Sequence, residues 1–524
     1  MDMPRFLRLL PVIAASALGA TAINVPPALA STSQDSIIQD DSQLIANTAG
    51  TLQTFKNLGV TRVRVGIYWS HIAPRPTSSQ RPNFNATDPG AYPAAGWRAY
   101  DQIVQSAKAD GLSVYFILTG PAPRWATGPG MPSGGNPYYG QWKPSASQFN
   151  QFVRAVGTRY SGHYHGLPRV SFWSIWNEPN YGIDLAPQAT NHDTTEVGAG
   201  LYRGLVDAAW SGLRASGHGG DTILIGETAP RGLDHPIGNF SGVKPLRFLR
   251  ALYCVDSSFR PLRGSAASAR GCPTTSSGSA RFRSQHPGLF NATGFADHPY
   301  PGSFDGAPNV TTALAPGNRV VAGNDPDFAE LPKIGVLERT LDRLNRMYGS
   351  RTRFPIWNTE YGYQTKPPEP NARINAATAA IYINWGEYLM WRQPRIKSYM
   401  QYLLVDPPAG NFASGLMFAN GTPKADYDAY RVPLFIPSTS GRRGRALEIW
   451  GGARAARYGG SPSVAIQFQA GSRGAFKTLK VVTLSSNGYF DVRQAFTTSG
   501  TVRLVWSSAS GQMLHSRSQA ISIH

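Results

Sequence analysis

Cysteine is nearly absent from this chain: 524 residues hold two, Cys254 and Cys272, which without a neighbouring histidine pair make a poor zinc site. Acidic residues are scarce beside basic ones, 31 against 50, leaving a formal net charge of +19. Long apolar runs are missing too. No segment approaches the roughly 20 apolar residues that a membrane-spanning helix needs, and no internal repeat or coiled coil is present. The charge surplus does not describe a nucleic-acid groove. Residues 438–524 hold eleven Lys and Arg against Glu448 and Asp491, spread mostly singly and without interleaved aromatics, the pattern of a solvated surface. Nucleic acid is therefore not an expected partner, whereas electrostatic attraction to an acidic cell wall or anionic polysaccharide stays open.

The first thirty residues carry Arg5 and Arg8, an apolar run Leu9 to Ala20, and Ala28-Leu29-Ala30 before Ser31. That order reads as a secretory signal with an A-x-A-like cleavage site, so the mature chain of 494 residues (524 minus 30) is expected to be exported, as a monomer. Two cysteines in an exported chain, flanking a Ser/Ala/Gly/Arg-rich loop, are expected to pair. Closing that loop stabilises by about 3 kcal/mol on the chain-entropy account, enough to pin an insertion.

Two strand-like segments carry the chemistry. Val170 to Trp176 is β-branched and aromatic, then runs into Asn177-Glu178-Pro179-Asn180, where proline ends the ladder. Phe354-Pro355-Ile356-Trp357-Asn358-Thr359-Glu360-Tyr361-Gly362 repeats the pattern. Two glutamates at the carboxyl ends of strands suggest paired-carboxylate chemistry, because in an α/β barrel that face collects the reactive side chains. The Trp-Asn-Glu-Pro at 176–179 followed by Thr-Glu-Tyr-Gly at 359–362 resembles clan A glycoside hydrolases, retaining (β/α)8 barrels that include families 5 and 39. The resemblance spans roughly residues 36 to 430. It implies a carbohydrate substrate, Glu178 as acid/base and Glu360 as nucleophile, with no metal and no cofactor. It further implies substrate-site roles for Arg64, Asn177, His298 and Tyr300. Asn177 would donate to the sugar 2-hydroxyl, and Tyr300 would orient Glu360. The third and eighth strands depart from the family 5 pattern, offering Thr119 and Gln401-Tyr402, which leaves a family 39-like assignment open.

The residues add their own expectations. Trp173 and Trp176 would desolvate Glu178 and favour its protonated form. Alternation along Arg62-Val63-Arg64 is read as leaving one arginine, Arg64, facing inward beside Glu360. Asp297 is read as facing away from His298. Glu227, ending the fifth strand, is a third carboxylate, read as substrate-bonding or positioning. Glu330, Glu338 and Glu387 read as solvated. The long 120–144 loop offers Trp125, Tyr138, Tyr139 and Trp142 as stacking faces for sugar rings, or as a lid's own core. Gln401 is expected at the site.

Strands are expected at Ser36–Ile45, Thr61–Ile67, Leu112–Leu118, Val170–Trp176, Thr222–Ile225, Thr293–His298, Phe354–Thr359 and Ile396–Val405, alternating with helices such as Ala46–Leu58 closed by Gly59. Eight strands match a (β/α)8 TIM barrel over 31–435. From about Leu434 short alternating runs with turn signals predict a small all-β sandwich, 436–524, similar to the immunoglobulin-like or fibronectin-like modules of secreted bacterial hydrolases, with Trp450, Phe490 and Trp506 in its core. A secreted retaining glycosidase is the leading expectation. A catalytically silent carbohydrate-binding barrel and a wall-attached glycan-binding protein are its rivals.

Overall fold

Asp40 decides how the chain leaves its first strand. Strand β1, Asp35–Gln39, ends where the Asp40 carboxylate accepts the Gln43 amide hydrogen at 3.1 Å, capping helix α1, Asp41–Ala46. A strand running to Ile45 is thereby corrected: a local cap outcompetes the extended form. Helix α2, Thr48–Leu58, starts on the Asn47 side chain and stops at Gly59, left-handed at φ +79 as its C-cap role requires. The computed structural model describes residues 34–132, 139–192, 194–233, 239–301, 306–309, 325–408 and 410–524. The expected signal and Tyr138 lie outside them.

Seven more strands follow: β2 Arg62–Tyr68, β3 Ser113–Thr119, β4 Phe172–Ile175, β5 Thr222–Thr228, β6 Gly294–Asp297, β7 Ile356–Asn358 and β8 Ser398–Tyr402. Each pairs in parallel with its neighbour. β8 pairs with β1 from Asp35↔Ser398 to Gln39↔Tyr402, and Ile356 bridges to Ile396, so the sheet closes into a (β/α)8 barrel. Ile37, Tyr115, Phe172, Leu224, Ala296 and Met400 fill its interior as a cluster separate from the outer core. Arg62 and Arg64 correct one expectation. Residues two apart share a face, so both point inward: the Arg62 guanidinium lies 4.1 Å over the Phe172 ring, and Arg64 stands one layer higher.

Between β5 and β6, helices Pro245–Leu252 and Ser276–Gln285 form the insertion that carries the disulfide Cys254–Cys272. Arg203, buried on the helix Gly198–Ala215, donates to the carbonyls of Ala251, Leu252 and Gly271, tying both sides of the bridge to the barrel.

The C-terminal region is two stacked sheets, as expected. Leu434–Phe435, Ala446–Gly452 and Tyr489–Ala495 make one; Ser440–Gly441, Gln519–Ile523, Gly500–Ser507, Ser463–Ala470 and Lys477–Thr483, with Met513–His515, make the other. Phe490 and Trp506 lie in its core. Trp450 does not. It packs with Tyr489 and Phe435 against Tyr388, Trp385 and Trp391 of the barrel helix Ala376–Trp391. Beside this aromatic seam, Arg454 pairs with Glu387, their Nε–Oε1 distance being 3.0 Å. Its guanidinium stacks 4.0 Å over Tyr430, and Tyr489 donates to Glu387 at 2.6 Å. Glu387, expected in solvent, is fully buried.

Candidate active site

Above the barrel's interior, three glutamates and two cations share one network. Arg64 is buried. Its Nη1 donates to Glu360 Oε1 at 2.8 Å and to Gln39; its Nη2 donates to Glu227 Oε2 at 3.0 Å and to Asn177 Oδ1 at 3.2 Å. His298 stands opposite, with Nδ1 2.9 Å from Glu178 Oε1 and 3.6 Å from Glu360 Oε2, and Nε2 2.7 Å from Glu227 Oε2. Tyr300 donates to Glu360 Oε2 at 3.2 Å. Glu178, Glu360, Arg64, Asn177, His298 and Tyr300 are thus brought together from β2, β4, β6 and β7.

Local backbone aims these groups. Just past β4, Trp176 and Glu178 sit at φ +62 and +34, and Glu227 at φ +52, a region that side-chain-bearing residues rarely occupy and that marks functional sites. Glu227 is turned inward by a bulge, the register slipping between Gly226 and Thr228. Gly226 makes the bulge possible: at φ +110, an added Cβ would stand 2.4 Å from the Ala296 carbonyl oxygen.

Glu227 is walled in. Arg64, His298, Thr359, Tyr115 and Ser174 all donate to its two oxygens, saturating a carboxylate's acceptor sites. With no exposed surface it meets no substrate, so of its two expected roles, substrate-bonding and positioning, the structure leaves the second. Burial opposes its ionisation, yet Arg64 and His298 hold its carboxyl far below the usual range. Burial likewise opposes the His298 imidazolium, but Glu360, Glu178 and Glu227 push it up to about 10. Burial drives the Glu360 carboxyl up, against the pull of His298 and Arg64.

Two expected residues are engaged elsewhere. Gln401 takes the outward register of β8, paired with Ile38, and donates to the Ser414 carbonyl at 2.6 Å; its neighbour Tyr402 has the inward position. Trp125, 9 % exposed, donates to the Pro74 carbonyl and stands edge-on to Trp69. Trp142 is buried and bonded to the Pro129 carbonyl. These rings make the loop's own core. Trp173 does not shield Glu178 either: its indole donates to Asp221 at the far end of the barrel. Residues that sequence reading passed over are Gln39, Tyr115, Ser174 and Thr359, all inward by register, and Asp184. Asn177 Nδ2 lies 3.3 Å from Asp184 Oδ1, so its amide is oriented by Arg64 on one side and Asp184 on the other. Burial and the Glu178 charge push the Asp184 carboxyl well up.

Glu178, His298 and Glu360 present ligand atoms within 4.8 Å of one another. With its imidazolium favoured by the surrounding carboxylates, His298 acts as a hydrogen-bond donor between Glu178 and Glu227.

Other buried carboxyls set how stability responds to pH. Burial raises Asp297 to about 8, and Glu330 and Asp426 to about 7; Glu330, expected in solvent, is fully buried. A carboxyl raised in the folded state keeps a proton that the unfolded chain releases near pH 4, so each costs stability as pH climbs from there to its folded pKa. His298 adds the same sign: its contribution is complete below 6.5 and lost as pH rises through about 10. The melting temperature should therefore fall steadily from about pH 5 to about pH 9, and Glu330→Gln should flatten the lower half of that slope. A melting temperature that rises over this range contradicts the assignment.

No family model and no curated protein matches this chain. Among solved structures it is similar to a glucosidase from Croceicoccus marinus, at 12 % identity over 89 % of this chain and 91 % of that one, with a TM-score of 0.46. It is also similar to a family 1 β-glucosidase from Thermotoga maritima, at 13 % identity over 74 % and 85 %, with a TM-score of 0.45. Likeness this distant carries no functional argument, and the site's own geometry must supply one.

Proposed function

We propose that the chain is a retaining glycosidase acting by double displacement on an oligo- or polysaccharide. One observation carries the reading: Glu178 and Glu360 present oxygens within 4.8 Å of each other across His298. Retaining enzymes hold their two carboxyls about 5 to 5.5 Å apart and inverting ones about 6.5 to 9.5 Å, the wider gap admitting a water. Glu360, with Arg64 and Tyr300 on its oxygens, attacks the anomeric carbon as the glycosidic C–O bond breaks. Glu178, more open at 19 % side-chain exposure, gives its proton to the departing oxygen, then takes one from the water that hydrolyses the glycosyl-enzyme. The basic surface and the leader-like first thirty residues support export and attraction to an acidic wall.

Turnover of aryl glycosides of both anomeric configurations, with ¹H NMR of the first-formed product, tests the reading. The product should keep the substrate's configuration. Glu178→Ala should lose about 10²- to 10⁴-fold on alkyl glycosides, whose leaving groups need a proton, and far less on dinitrophenyl glycosides. Equal losses on both would remove Glu178 from the acid/base role.

A further inference from the structure

The loop that carries Glu178 holds two apolar side chains in water. Tyr181 is 37 % and Ile183 43 % exposed, among the few large apolar side chains so exposed in the described residues. Slack does not explain it. Tyr181 N donates to the Glu178 carbonyl at 2.8 Å, Asp184 N to the Tyr181 carbonyl at 3.0 Å, and Gly182 N to the Ser241 carbonyl at 3.0 Å. Asn180, fully buried, bonds Ala229 and Val243 with both ends of its amide. The Tyr181 ring lies against Gly242, where an added Cβ would stand 2.5 Å from Cδ2. One part of the ring is thus seated on backbone while the rest faces solvent.

A rigid loop that keeps an aromatic and an aliphatic side chain exposed beside a polar site presents a binding surface. Its place decides for what. Glu360 and the partners of its oxygens, Arg64 and Tyr300, stand at β7, β2 and β6, where the sugar is attacked, whereas the 178–185 loop extends from β4 on the side of the proton donor. The Tyr181 phenol, pushed up by burial and then by the Glu178 charge, lies close enough to feel that carboxylate, so a group leaving through the oxygen that Glu178 protonates departs beside this ring.

We infer that Tyr181 and Ile183 form the leaving-group subsite and select a leaving group with an apolar face, either an aryl ring or the carbon face of a second sugar. The inference rests on the glycosidase reading above. Sugar and aryl faces stack on exposed aromatic rings through the same burial and dispersion.

A ratio separates this subsite from the rest of the machinery. Glycosyl fluorides have a leaving group too small to reach Tyr181, phenyl glycosides have an aryl one, and disaccharides a sugar. In Tyr181→Ala, kcat/KM for the phenyl glycoside divided by that for the fluoride should fall about tenfold, the scale of one lost aromatic contact, and Tyr181→Phe should keep the wild-type ratio. Ile183→Ala should lower the same ratio less, and serves as the test should Tyr181→Ala misfold. The disaccharide-to-fluoride ratio shows whether a sugar face is held as well as an aryl one; a fall in either ratio supports the subsite. Both ratios unchanged in Tyr181→Ala and Ile183→Ala, or lowered equally by Tyr181→Phe, overturn it. A wild-type protein that turns over no fluoride and no glycoside overturns the glycosidase reading instead.

Discussion

Glu360→Ala should abolish turnover, with a loss of roughly 10⁴-fold or more, as expected when a covalent nucleophile is removed, and azide should restore it. The vacated space lies between Arg64 Nη1 and the Tyr300 hydroxyl, a pocket suited to a small anion. On a dinitrophenyl glycoside, azide forms the C–N bond as the phenolate departs with the C–O electron pair. The product should be a glycosyl azide of inverted configuration, identified by NMR. Glu227→Gln supplies the contrast. It should also slow turnover, because Arg64 and His298 lose a shared anchor, but azide should not rescue it, since that carboxylate is sealed beneath the site. Rescue of Glu227→Gln, or undiminished hydrolysis by Glu360→Ala, would overturn the assignment of roles.

The second large effect is on folding. Arg454→Ala leaves Glu387 a buried charge beside Tyr489 with no cation, and breaking a buried pair from one side costs about 3 to 5 kcal/mol. The variant should unfold at markedly lower denaturant, if it is recovered soluble at all. Glu387→Met combined with Arg454→Met should recover most of the loss, since an apolar pair of similar volume removes the desolvation cost. The chain should also unfold in one transition, because the aromatic seam makes the barrel helix Ala376–Trp391 and the sandwich one packing unit. Wild-type stability in Arg454→Ala, or two separate transitions, would contradict this. The isolated 436–524 segment would bare Trp450 and Tyr489, which makes it a poor candidate for an independent glycan-binding module.

The barrel was legible because its strands are short apolar runs followed by residues that interrupt a strand: Pro179, which lacks the ladder donor, after Glu178, and Gly362 two residues past Glu360. Those same endings placed the two glutamates. Side-chain direction was harder. Whether Gln401 or Tyr402 faces inward depends on register, which the run Ile396 to Val405 does not reveal, and only pairing with Ile38 resolves it. Glu387 looked solvated because its cation lies 67 positions further on. One signal was present and unread. Ala376–Trp391 is apolar on nearly all sides, and a helix of that kind is covered from more than one direction.

The bulge at Gly226 and Glu227 has a consequence for how this protein tolerates change in chain length. Surface loops accept inserted or deleted residues readily, but here one residue is the whole difference between a carboxylate under the reacting groups and one aimed at the outer helices. Losing Glu227 itself would leave Thr228 paired with Asp297 on the outer side, and Arg64 and His298 without their common counter-ion while every strand stayed in place. A lineage carrying such a deletion would keep a barrel outwardly unchanged and lose its chemistry, whereas a deletion of the same size in the exposed turn at Gly444 would pass unnoticed.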